Sequence, residues 1–279
     1  MHKILNKEKL NSVIYRMEIQ AEDVAANVLP GQFVVLRVDE RGERVPLTVC
    51  DNDTTRGTIT LVFQVAGLTT KKLSNLSEGD SIADILGPLG MPTEVKNFKK
   101  VICIGGGVGI AEILPIAKAL KSAGNSVIAI LGARTKELMI LEDEVKKYTN
   151  KIYITTDDGT YGRKGFVTDV LGELLQEKPG LVYAVGPLPM MRKVAQVTKP
   201  LGVETKVSLN SNMIDATGMC GTCRVSVNGK RRFTCVHGPE FDAHAVDFDE
   251  LAKRQERFLK EEKLSMDLHD KGGCGCAKS

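Results

Sequence analysis

The chain has 279 residues, a net charge of +3, 42% hydrophobic and 26% charged residues, and no tryptophan. So small a charge excludes the strong field of a nucleic-acid binder, and no apolar run reaches the ~20 residues that cross a membrane. Seven cysteines, an odd number mostly late in the chain, fit a reducing cytoplasm better than a disulfide framework.

The length suggests two domains with a small third. The opening MHKILNKEKL lacks the apolar core of a secretory signal. From residue 4 to about 97 the pattern is short strands cut by turns. Segments 13–19 and 32–38 alternate apolar and polar residues, 58–65 is largely apolar, and Pro30-Gly31 and Arg56-Gly57 punctuate them. Regular short strands without helical period predict a β-barrel. Within it, Val45-Pro46-Leu47-Thr48 places a proline and a hydroxyl at the start of an apolar strand. Gly67-Leu68-Thr69-Thr70 sets hydroxyls where a helix begins. Such a terminus suits phosphate or is simply an N-cap.

Near Phe98 the texture changes. The spacing predicts strand 100–104, helix 110–123, strand 126–131, helix 137–148, strand 151–155, helix 167–176 and strand 181–185. That alternation predicts a parallel sheet covered on both faces. The glycine run Gly105-Gly106-Gly107-Val108-Gly109 sits between first strand and first helix, where a dinucleotide approaches the backbone. Ile110 breaks the full G-x-G-x-x-G. No acidic residue follows the second strand; Arg134 stands there, open to a 2′-phosphate, a pyrophosphate or solvent. Thr156, Asp157 and Asp158 follow the third strand, and the two aspartates are alternative ribose partners. Gly186, Pro187 and Met190 follow the last strand, where loops line a cofactor crevice.

Residues 212–237 carry the metal signature. Asp215, Cys220, Cys223 and Cys235 read D-x4-C-x2-C-x11-C. A plant-type [2Fe–2S] site reads C-x4-C-x2-C with a distant fourth cysteine, so only the first ligand differs, and its replacement is an anion. An Asn228-Gly229 hairpin returns Cys235 to the first two cysteines. A structural zinc site or a redox-active C-x-x-C are the competing readings, and His237 rivals Asp215 as fourth ligand. Cys50 and Cys103 read as apolar core thiols. Segment 249–260 is charged and periodic, a solvated or partner-facing helix. The end, LHDKGGCGCAKS, reads as disordered, with Cys274 and Cys276 uncommitted.

Barrel, nucleotide domain and late cluster loop, in that order, resemble the ferredoxin-reductase-like family over residues 1–245. The branch is the one with a C-terminal [2Fe–2S] loop. The carrying motifs are VPLT at 45–48, GLTT at 67–70, GGGVG at 105–109, TTDDG at 155–159, VGPLPM at 185–190 and the cluster loop. The expected fold is α/β plus β: an FAD-binding β-barrel (1–97), a Rossmann-like NAD-binding domain (98–208), a [2Fe-2S] loop domain (209–245) and a C-terminal helix and tail (246–279).

The resemblance implies that Val45, Pro46, Leu47, Thr48, Val62, Phe63 and Gln64 hold FAD, with Thr69 and Thr70 near its pyrophosphate. Gly105, Gly106, Gly107, Gly109, Gly186, Pro187 and Met190 would frame NAD(H), with Arg134, Thr156 and Asp157 as further contacts. Asp215 in place of the usual first cysteine, and about 35 residues after the cluster, resemble the electron-transfer subunits of electron-bifurcating NADH-dependent ferredoxin:NADP+ oxidoreductases. The electron-transfer subunits of dihydroorotate dehydrogenase resemble the chain less in these two respects, and a zinc- and nucleotide-binding redox sensor is the alternative from another class. The implied partner is a large flavin/[4Fe-4S] subunit, similar to the glutamate synthase small subunit, in a heterodimer that meets ferredoxin through that subunit. The implied setting is cytoplasmic, with neither nucleic acid nor membrane.

Overall fold

The computed structural model describes residues 1–271. Cys274 and Cys276 therefore lie outside the described residues.

Seven strands form the N-terminal sheet: β1 (His2–Lys9), β2 (Ile14–Gln20), β3 (Phe33–Arg37), β4 (Arg44–Asp53), β5 (Thr58–Gln64), β6 (Ser81–Ile82) and β7 (Asp84–Leu89). Their order is β6-β1-β2-β5-β4-β3-β7, every pairing is antiparallel, and the sheet curls into a nearly closed barrel. Met17, Ile19, Leu36, Ile59, Leu61 and Phe63 fill it. Helices α1 (Glu22–Asn27) and α2 (Leu68–Asn75) add Val24, Ala25 and Leu73 to that core. Strand β3 departs from the one-faced alternation that the sequence suggests. Val34 and Leu36 point into the barrel core, while Phe33 and Val35 are buried on the other side against Ala216, Cys223 and Cys235. The barrel's outer face is thus the floor on which the cysteine loop rests.

The second sheet takes β8 (Lys100–Gly106), β9 (Ser126–Ala133), β10 (Lys151–Thr156), β11 (Arg163–Lys164), β12 (Leu181–Val185) and β13 (Thr205–Ser208), in the order β11-β10-β9-β8-β12-β13, all parallel. Side chains of β8 alternate between two cores. Val101 and Cys103 pack under α3 (Gly109–Ser122) and α4 (Glu142–Lys147), and Ile102 and Ile104 under α5 (Val167–Leu174) and α6 (Leu188–Thr198). Burial on both faces explains the unbroken apolar runs. Cys50 and Cys103 are both buried thiols of the first of these cores, as expected.

Three local expectations change. The predicted helix 137–148 breaks into a short 3-10 turn at Lys136–Leu138 and α4, because Ile140 and Leu141 turn inward and Leu141 takes a left-handed φ of 55°. Burial of two adjacent apolar residues overrides the helical period there. The cysteine loop carries the expected hairpin, β14 (Arg224–Val227) and β15 (Lys230–Phe233), then a turn of helix, α7 (Thr234–His237). The chain then rejoins the nucleotide sheet, since β16 (Glu240–Asp242) pairs antiparallel with β13. The charged segment after it is two helices, α8 (Phe248–Gln255) and α9 (Leu259–Asp270). Phe248 and Leu251 anchor α8 in the core, and Leu268 to Asp270, read as tail, are helical.

Candidate functional site

Two cavities meet where the barrel faces the parallel sheet. The larger, about 1050 Å³, is walled by Val45 to Thr48 of β4, Val62 to Gln64 of β5, Val108 and Glu112 of α3, residues 208–214, and Phe258 just before α9. All seven barrel residues expected to hold FAD therefore line one space. Its walls carry polar atoms that have found no protein partner: Arg37 Nε, Ser211 Oγ and Asn212 Nδ2. Buried donors left unpaired cost about 1–3 kcal/mol each, so the site is built for a ligand rich in acceptor oxygens and nitrogens. FAD, with its diphosphate, ribityl hydroxyls and ring carbonyls, is such a ligand. Arg37 and Arg44, register partners across β3 and β4, add positive charge beside it.

Thr69 and Thr70 are placed differently. Neither is among the cavity-lining residues. Thr70 Oγ1 accepts the Ala66 and Gly67 N–H groups and donates to Gly67 O, so its hydroxyl closes the first turn of α2.

The second cavity, about 820 Å³, is lined by Gly106 and Gly107, Gly132 to Arg134, Thr155, Asp157, Pro187 and Met190, among others. A Cβ on Gly106 would meet Met190 Sδ at 2.6 Å, and Gly107 has a φ of +58° with open space where a Cβ would stand. That is a backbone cradle for a dinucleotide. Gly105 and Gly109 work behind it as packing positions: a Cβ on Gly109 would lie 2.5 Å from Val185 O. Gly186 and Thr156 are also absent from the lining. Thr156 is fully buried; its Oγ1 donates to Tyr161 O and accepts from Tyr161 N–H, tying the loop that presents Asp157. Gln64 lines both cavities, so it marks the place where the two spaces adjoin.

From residue 208 the chain runs along the larger cavity and straight into the cysteine loop. Ser208 to Ile214 form its wall; Asp215 is the next residue. Cys223 and Cys235 are buried with their sulfurs 3.2 Å apart, and Cys220 is exposed. Burial and the neighbouring Cys223 push the Cys235 thiol up to about 12, so two thiolates so close persist only against a cation. Asp215 accepts from the Thr217 N–H through Oδ1 and from the Cys220 N–H through Oδ2, and the Thr217 bond leads the effects that hold its carboxyl below the usual range. His237 Nδ1 accepts from the Phe233 N–H, and its ring is exposed. Among the described residues no three His, Cys, Asp or Glu side chains converge as for a single ion. The close Cys223–Cys235 pair, with Cys220 and Asp215 joined to each other by a hydrogen bond in the same loop, is a donor set that fits a two-iron cluster.

Sequence reasoning missed Arg37, Ser211, Asn212, Phe258 and Glu112. The last accepts a hydrogen bond from Thr48 Oγ1 at 3.1 Å, and burial pushes its carboxyl up to about 7.

Comparison with known proteins agrees with this layout. Residues 3–93 match the oxidoreductase FAD-binding domain, 103–196 the oxidoreductase NAD-binding domain, and 210–247 the iron-sulfur cluster binding domain of dihydroorotate dehydrogenase B. The chain is 46% identical to a dihydroorotate dehydrogenase B (NAD(+)) electron transfer subunit homolog of Thermotoga maritima, over 95% of this chain and 94% of that one. It is 32% identical to the dihydroorotate dehydrogenase B (NAD(+)) electron transfer subunit of Fusobacterium nucleatum, over 84% of this chain and 93% of the other. Among solved structures it matches a chain of NADH-dependent reduced ferredoxin-NADP oxidoreductase, studied for flavin-based electron bifurcation. The identity is 44%, the TM-score 0.92, and the coverage 96% of this chain and 98% of that one.

Proposed function

Since the chain belongs to the ferredoxin-reductase-like family of dihydroorotate dehydrogenase B electron transfer subunits and their homologues, we propose that it is the electron-transfer subunit of a bifurcating NADH-dependent ferredoxin:NADP+ oxidoreductase. It is an oxidoreductase with FAD-, NAD- and iron–sulfur-binding domains. Its homologues are subunits of larger complexes. When bound, FAD exchanges a hydride with NAD(H) and passes single electrons to a [2Fe–2S] centre; the protein positions and tunes.

One observation carries this reading: the two cavities share Gln64, and the wall of the larger one, residues 208–214, leads directly to Asp215 and the three cysteines. Gly106 and Gly107 admit the nucleotide to one side of Gln64. Val45 to Thr48 and Val62 to Gln64 hold the flavin on the other side. Phe33 and Val35 of β3, the strand paired with β4, carry the cysteine loop. Each component thus stands next to the one it must exchange electrons with. No side chain is required as nucleophile.

The finer assignment rests on the match to the bifurcating enzyme's chain over 96% of this chain and 98% of that one, and on Asp215 at the first ligand position. The proposed partner is a large flavin/[4Fe-4S] subunit, with ferredoxin reached through it. No helix among the described residues is long and apolar enough to cross a membrane. Affinity purification of the tagged chain from its own cells tests the proposal. A brown heterodimer with a flavin/[4Fe-4S] subunit is expected. Recovery with an FMN protein that oxidises dihydroorotate would overturn the assignment in favour of pyrimidine synthesis.

A further inference from the structure

Helix α8 clamps the cysteine loop from behind. Asp247, its N-cap, donates its N–H to Ser226 O, and Glu250 Oε2 accepts the Ser226 N–H at 3.1 Å, so both backbone groups of one β14 residue are taken up. One turn on, Arg254 Nη2 donates to Thr222 O at 2.9 Å, inside the C-x2-C segment. Gln255 Nε2 donates to Asn210 O and Asn210 Oδ1, on the wall of the flavin cavity. Phe248 and Leu251 root the helix in the core of the nucleotide sheet. The loop thus rests on a fixed support.

Arg254 brings charge as well as a hydrogen bond. Its Nε is buried and has no partner. Burial is the main cause that lowers its guanidinium below the ordinary range; Arg224 and Arg257 add to it, while Glu250 and an ionised Cys223 oppose it. Among the described residues no carboxylate comes within ion-pair distance of Arg224, Arg254 or Arg257. A half-buried cation with an unpaired donor, set beside like charges, costs free energy unless an anion faces it. Three thiolates and a carboxylate around two ferric ions and two sulfides make that anion. Their charges sum to a dianion, and one electron adds a further negative charge.

We propose that Arg254 is a positioning residue of the one-electron step: through Thr222 O it holds the C-x2-C turn, and its guanidinium sets a fixed positive charge and a free N–H donor against the Cys223 side of the cluster. This role rests on the reading of the loop as a [2Fe–2S] site. The step moves one electron and no proton. The electron comes from the flavin, no bond forms or breaks, and Arg254 keeps its own proton because a guanidinium stays charged at any pH the protein meets. The negative charge that arrives is compensated by a group already in place. Hydrogen bonds to the sulfurs and net charge set the potential of such a centre. Arg254 supplies both in the same direction, towards easier reduction.

The test is an EPR-monitored redox titration of the full chain, with iron content measured first. Arg254→Gln keeps a donor for Thr222 O and removes the charge. It should retain iron and lower the midpoint, with about a tenfold fall in the reduced-to-oxidised ratio at a given potential, which is 59 mV for one electron. Arg254→Lys keeps the charge and should stay close to wild type. Glu250→Gln keeps an acceptor for the Ser226 N–H and removes the anion that offsets Arg254, so its midpoint should rise. A clamp with no electrostatic role would cost iron and leave the midpoint in place. An unchanged midpoint in Arg254→Gln with iron retained overturns the proposal. Should that variant lose its iron, a midpoint in Glu250→Gln that stays or falls overturns it. A wild-type chain without iron refutes the reading of the loop itself, and iron content separates that failure from an unmoved midpoint.

Discussion

Cys223 Sγ and Cys235 Sγ lie 3.2 Å apart although 12 positions separate them. The β14–β15 hairpin, turning at Asn228-Gly229 with φ of 52° and 69°, folds the chain back to create this pair. We propose that these two sulfurs share one iron, which leaves Cys220 and Asp215 for the other. Cys220→Ser, Cys223→Ser and Cys235→Ser should each abolish the cluster, read as loss of iron and of the EPR signal. Full iron content in all three would refute the assignment.

Asp215, the fourth ligand we propose, is held by the loop's own hydrogen bonds. Both Asp215 oxygens accept backbone N–H groups from the turn that leads to Cys220, which aims the carboxylate at the loop interior. Asp215→Cys should keep iron and shift the cluster's potential and EPR spectrum, because thiolate bonds more covalently than carboxylate. A spectrum untouched by Asp215→Ala but altered by His237→Ala would make His237 the ligand.

Flavin and cluster should not be separable. Ser211 and Asn212 belong to the cavity wall and to the stem of the cysteine loop at once. Ser211→Ala and Asn212→Leu should each weaken FAD retention; at about 0.5–1.5 kcal/mol per hydrogen bond this is roughly 2- to 13-fold. The cysteine variants should lower the flavin-to-protein ratio too. Equal FAD affinity in apo- and cluster-loaded protein would show that the wall stands unaided.

What was legible in the chain were contiguous signals. Val45 to Thr48, Val62 to Gln64, Gly106 and Gly107, and the cysteine spacing each put several site residues in one short stretch. Arg37, Ser211 and Phe258 reach the same cavity from stretches more than forty residues apart, and nothing in their local sequence says so. Thr70 and Thr156 mislead in the opposite way, since a hydroxyl beside a glycine turn serves a ligand or closes the turn, and here both close it. Glu112 carries no signal of its own within the predicted helix 110–123; only docking of the barrel on α3 gives it Thr48 as partner.

Glu240 ties three parts of the molecule together. On β16 it accepts from Tyr183 Oη of β12 at 2.5 Å and from Thr93 Oγ1 at the end of the barrel segment. Burial is the main cause that raises its carboxyl above the ordinary range. The folded state therefore binds the proton more tightly than the unfolded chain, so this group's contribution to stability falls as pH rises from the ordinary carboxylate range towards the folded value. Glu240→Gln should flatten that fall in a series of thermal melts. A steeper loss with rising pH in the variant would reverse the sign and refute the account.

Choice of nucleotide turns on two residues in one cavity. Arg134 and Asp157 both line the space beside Gly106 and Gly107 and both are exposed. Arg134 would attract a 2′-phosphate, whereas Asp157 would accept a hydrogen bond from a free ribose hydroxyl and repel a phosphate dianion. The aspartate sits on a loop tied down by Thr156 and Tyr161, so its charge is fixed in place, while the arginine is a long exposed side chain free to swing away. NADH should therefore reduce this subunit's flavin faster and at lower concentration than NADPH in stopped-flow mixing. Asp157→Asn should narrow the preference by removing the repulsion. Tighter, faster reduction by NADPH would overturn the prediction, and loss of that NADPH preference in Arg134→Ala would identify the arginine as its cause.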